Sequence, residues 1–106
     1  MKASIKYAII SLLYEQRDGL WEYEIYQRLK PHYSKSSLCA IREELISFNT
    51  VGWVATASLR EYQGRLLRKF KLEPQHVPFI EHQLDVASIL AELRSTPTEQ
   101  SNLVGT

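Results

Sequence analysis

Residues 36–54, SSLCAIREELISFNTVGWV, constrain the fold of this chain more than any other stretch. Ile41, Leu45 and Phe48 recur at helical spacing, so one stripe of the segment must face a core. The opposite side, around Ser36, Cys39, Ala40, Glu43 and Ser47, is small or polar. Val51-Gly52 breaks the helix and Trp53-Val54 opens a strand. A slim-faced helix followed at once by a hairpin suits a part that enters a groove.

The flanking residues supply a frame for it. Ser4 is placed to cap a first helix running to about Arg17, with Ile5, Ala8, Ile9, Leu12 and Leu13 as its buried stripe. Asp18-Gly19 closes that helix, and Leu20-Trp21 reads as a short strand. A second helix is expected from about Glu22 to Lys30, its first-turn acids meeting the positive helix end and Pro31 stopping it. Ser36 or Ser37 then caps the third helix. Two helices joined by a short turn make a helix-turn-helix, whose second helix is the one offered to a major groove. Residues 53–58 and 66–72 read as the strands of a hairpin with Gly64 at its tip. Leu66, Phe70 and Leu72 fall on one face of the returning strand and Leu67, Lys69 and Lys71 on the other.

Pro74 and Pro78 bracket a linker, after which one last helix is expected over residues 79–93. Its apolar positions cover an arc of roughly 220°, about twice what one core contact needs. The excess predicts a partner, most simply a second copy of the chain, on Phe79, Ile80, Leu84, Val86, Ala87, Leu90 and Leu93. The expected architecture is therefore mainly α with a small β-hairpin. A winged helix-turn-helix occupies residues 1–73, a dimerisation helix residues 74–95, and a disordered tail residues 96–106.

Charge divides along the same line. Residues 1–72 hold twelve Lys and Arg against seven Asp and Glu, whereas residues 73–106 hold one against five. That split points to a polyanionic partner for the first part alone. With one cysteine, Cys39, no internal disulfide or cysteine-based zinc cage can form. His32, His76 and His82 have no companions at ligand spacing, so neither a metal site nor a cofactor is expected. No apolar run approaches the roughly 20 residues that span a bilayer, and a cytoplasmic location is expected. Nucleophile-elbow and phosphate-loop sequences are missing, and no enzyme is expected.

The same residues resemble the PadR-type transcriptional regulators. Ala8-Ile-Ile-Ser-Leu12-Leu13 is similar to that family's first-helix run, and Tyr23-Glu24-Ile25 with Arg28-Leu29 to its second-helix text. Gly64-Arg65-Leu-Leu-Arg68-Lys69-Phe70-Lys71-Leu72 is similar to its wing. The likeness covers about residues 5–72. Trp21-Glu22 stands in place of histidine-glycine, Leu66 in place of the wing proline, and Arg42 where a tyrosine is frequent. The resemblance implies a dimeric DNA-binding regulator, repressor-like, dimerised through its last helix.

Arg65, Arg68, Lys69 and Lys71 on the hairpin, with Lys35 and Arg42 beside or on the third helix, are the expected phosphate contacts, six cations on one side of the molecule. Ser36, Ser37, Cys39, Ala40, Arg42 and Glu43 are the candidates to meet base edges, Arg42 by pairing with guanine and Glu43 by accepting from cytosine. The expected partners are double-stranded DNA and a second copy of the chain. The alternative is a winged-helix protein-interaction module without DNA binding, motivated by Glu43-Glu44 and the near-neutral total charge. Trp21, Tyr23, Tyr26 and Tyr33 concentrate aromatic rings round the second helix, where core packing accounts for them better than an effector pocket does.

Overall fold

Two serine hydroxyls set the starts of the first and third helices in the computed structural model, which describes residues 3–95. Ser4 accepts from the Tyr7 N–H at 3.4 Å and opens α1 (Ile5–Glu15). Ser37, the second of the two serines at that turn, accepts from the Ala40 N–H at 3.1 Å and opens α3 (Leu38–Thr50). Between them lie the two-residue strand β1 (Leu20–Trp21) and α2 (Glu22–Leu29). The Glu24 carboxylate reaches back to accept from the Trp21 N–H at 2.9 Å, satisfying a donor that the start of α2 leaves free.

After α3 the chain forms a hairpin of β2 (Val54–Tyr62) and β3 (Arg65–Leu72), longer at its outer end than the sequence reading allowed. Its two-residue turn, Gln63-Gly64, has φ of 51° and 78°. Positive φ at both positions matches the right-handed twist of the strands. β1 pairs with β3, so the antiparallel sheet runs β1-β3-β2. Leu20 stands opposite Phe70, Trp21 opposite Lys69, and Val54 opposite Leu72. Gly19 makes the first pairing possible. Its φ is 109°, and a Cβ there would lie 2.8 Å from the Phe70 carbonyl oxygen.

Leu20, Val54, Phe70 and Leu72 turn inward from the sheet onto Ala8, Ile9, Leu12 and Leu13 of α1, Ile25 and Leu29 of α2, and Ile41 and Leu45 of α3. These side chains form one cluster, so α3 is held along one stripe while its other side faces solvent.

The C-terminal part departs from the single helix expected over residues 79–93. A turn of 3-10 helix (Pro74–His76) leads into α4 (Val77–Gln83), with Pro78 in its first turn, and a separate α5 (Val86–Arg94) follows. Leu84 is extended, and Asp85 caps α5 by accepting from the Ser88 N–H at 3.2 Å and the Ser88 hydroxyl at 2.8 Å. That local capping outcompetes helix continuation, as short polar side chains do. The break lets each short helix aim its own apolar stripe inward. Ile80, Val86 and Leu90 are therefore buried in the chain's own core, not left for a partner. α5 lies against α1, and its last turn is tied to the end of α2 by His32 Nε2, 2.9 Å from the Leu93 carbonyl oxygen. The expected tail, residues 96–106, lies outside the described residues. Among the described residues, no helix is long and apolar enough to cross a membrane.

Candidate nucleic-acid interface

The free side of α3 carries Cys39, Ala40, Glu43 and Ser47, all exposed, with Ser36 half-buried at the preceding turn. Small side chains here leave the helix backbone open to close approach. The Ser37 hydroxyl spends its acceptor on the cap and keeps its proton to donate outward. Cys39 Sγ lies 3.7 Å from Glu43 Oε1, a weak contact in which the thiol donates to the carboxylate.

Arg42 does not join this face. Its Nε and Nη2 donate to Glu22 Oε1 at 3.1 and 2.9 Å, and Glu22 is 1 % exposed. The guanidinium expected at a base edge is thus engaged within the protein. It is committed to a buried carboxylate and locks α3 to the first turn of α2. Position alone could not show this, because Glu22 also satisfies the usual preference for acids at a helix start.

The hairpin cations are not all on one side either. Side chains alternate across a strand and opposed residues share a face. Arg68 accordingly shares the α3-facing side with Leu66, Phe70, Leu72 and, across the strand pair, Leu59. Arg65, Lys69 and Lys71 stand on the opposite face together with Arg60, Tyr62 and Trp21. The reading of six cations on one side is corrected to a ribbon with positive charge on both faces. Arg60 belongs to it and escaped the sequence reading, although its place two residues before Tyr62 carried the signal. It lies 5.5 Å over the Trp21 ring, anchoring the outer face.

Among the described residues the ion pairs are Arg28–Glu15, Arg94–Glu15 and Arg42–Glu22. Lys35, Arg60, Arg65, Arg68, Lys69 and Lys71 have no carboxylate partner in that set, so their charge is open to an external anion.

Of the aromatic rings round the second helix, Tyr26 and Tyr33 pack against the core as expected, whereas Tyr23 does not. Tyr23 is exposed and meets Tyr26 at a centroid distance of 6.0 Å. A cleft of about 410 Å³ opens between α1 and α4, with Tyr7, Phe48, Trp53 and Phe79 among its walls. Trp53 stacks on His76 at 4.6 Å and meets the edge of Phe79 at 5.5 Å. Of the residues expected at a dimer contact, Phe79 and Ala87 are exposed, and Leu84 and Leu93 are half-buried.

No family model, curated protein or solved structure matches this chain.

Proposed function

We propose that the chain is a winged helix-turn-helix protein that binds duplex DNA as a homodimer and regulates transcription, acting as a repressor. The observation that carries this reading is the joint placement of a slim, solvent-facing α3 and a projecting cationic hairpin at its C-terminal end. The order helix, strand, helix, helix, strand, strand, with β1 added to the far side of β3, supports the winged-helix assignment. In this reading α3 enters the major groove, with Ser36, Ser37, Cys39, Ala40 and Glu43 nearest the bases. Lys35 and the hairpin cations neutralise phosphates. Arg42 serves by fixing the angle of α3 and does not touch the duplex. The second copy covers the cleft between α1 and α4, where Tyr7 and Phe79 are each about half exposed. A two-fold dimer then requires half-sites about one helical turn, or a multiple, apart.

Selection of bound duplexes from genomic fragments, followed by a salt titration of the winners, tests the reading. About six phosphate contacts make the affinity fall by roughly 10³-fold between low and moderate salt. Failure to bind any duplex at low salt refutes it. A second reading, a winged helix that docks protein in place of DNA, draws on Ile46, Leu59 and Leu66, which line a depression between α3 and the hairpin.

A further inference from the structure

The outer half of the hairpin carries apolar side chains that the fold does not use. Leu59 is 60 % exposed, Tyr62 59 % and Leu66 51 %. Strand register sorts them onto both faces. Leu59 opposes Arg68 and Glu61 opposes Leu66 on the α3-facing side, while Arg60 opposes Leu67 and Tyr62 opposes Arg65 on the other. Each face thus combines cationic and apolar groups close to the Gln63-Gly64 tip.

A ribbon lying flat along a phosphate backbone needs one cationic face and gains little from apolar groups on the other. A ribbon entering edge-on between two walls uses both. The minor groove is such a slot, anionic and, where narrow, attractive to arginine. Its width decides what must follow. The groove is about 6 Å wide in B-DNA. A strand pair with side chains on both faces is about 10 Å thick, the spacing at which sheets stack. The ribbon cannot enter an undeformed groove.

We infer that the hairpin tip is a groove-opening wedge: Tyr62 and Leu66 enter the minor groove and bend the duplex, while Arg60, Arg65 and Arg68 hold phosphates on either side. The wedge rests on the DNA-binding reading above and adds a deformation to it. Apolar insertions of this kind unstack a base step and kink the helix by roughly 20–90°. Glu61 is the one acidic side chain on this half of the ribbon, and its place opposite Leu66 keeps it beside the inserted group.

The test uses the full chain and duplexes recovered by the selection, labelled at both ends for energy transfer and carrying 2-aminopurine at the step facing the hairpin. The wild-type complex is expected to raise energy transfer between the ends and to brighten the 2-aminopurine. Tyr62→Ala and Leu66→Ala, both at exposed positions, are expected to weaken binding and, at protein concentrations that saturate the duplex, to lose both signals. A wild-type complex whose duplex stays straight and stacked overturns the wedge while leaving DNA binding intact. Undiminished bending by the two variants overturns it as well. If no duplex binds at low salt, the DNA reading and the wedge fall together, and the apolar tip becomes the contact surface for a protein partner.

Discussion

One oxygen of the Glu22 carboxylate accepts two hydrogen bonds from the Arg42 guanidinium, from Nε at 3.1 Å and Nη2 at 2.9 Å. The other oxygen, Oε2, is buried with no hydrogen-bond partner among the described residues. The pair joins the first turn of α2 to the middle of α3, and it is a costly way to do so. Burying a carboxylate sacrifices hydration that two bonds to one oxygen only partly replace.

Removal of one partner should therefore hurt more than removal of both. Arg42→Ala leaves Glu22 buried and alone, and should lower unfolding free energy by about 2–4 kcal/mol, below the deepest buried pairs because the Arg42 side chain is 37 % exposed. The double variant Glu22→Leu with Arg42→Met should recover most of that loss. Urea unfolding of the three proteins checks the order, and a double variant weaker than Arg42→Ala would refute it.

Gly19→Ala should destabilise by about 1–3 kcal/mol. The added Cβ meets the Phe70 carbonyl oxygen, which is backbone and cannot swing aside, at a φ that alanine avoids. Gly52→Ala shares the positive φ but meets nothing within 4 Å, so it should cost less. Thermal unfolding of both variants separates the collision from the dihedral cost.

Gln63 is the one non-glycine residue with positive φ among those described. Gln63→Asn or Gln63→Gly should stabilise the hairpin by about 0.5–1 kcal/mol, because these residues take the left-handed region more readily. Slower amide exchange at Tyr62 and Arg65, the pair flanking the turn, is the signal to look for.

Hydrogen bonds from the Ser88 hydroxyl and backbone N–H hold the Asp85 carboxyl below its ordinary range. A carboxyl with a lowered folded pKa contributes stability above its unfolded pKa and loses it as pH falls through the folded value. The start of α5 should thus persist as pH drops into the usual carboxylate range and loosen only below it. Ser88 amide exchange against pH reads this directly, and Asp85→Asn should flatten the profile while keeping a cap.

Much of this fold was legible in the residues because local signals agreed with one another. Ser4, Gly19, Ser37 and Gly64 fall where the caps and turns expected them, and the stripes of α1 and α3 point inward. The break at Leu84 and Asp85 was hidden for a physical reason. Apolar residues continue through it at a spacing that one long helix also satisfies, and only the Asp85–Ser88 cap distinguishes the two. The partnership of Glu22 with Arg42 spans twenty residues and two elements, so no local pattern announces it. The two faces of the hairpin were written in the alternation of β3. The strand partners that complete each face, including Arg60, depend on a register fixed by the turn and by an irregularity between Thr56 and Ser58.

The shortness of β1 has a mechanical result. β3 is bonded along both edges only at its inner end, where Leu20 and Trp21 reach Phe70 and Lys69. Farther out the ribbon is two strands wide, and a bare pair of strands is springy in water. Trp21 thus marks a fulcrum between a stiff root and a pliant blade. At that fulcrum the Trp21 N–H donates to Glu24, and the next residue, Glu22, is the one that bonds Arg42 of α3.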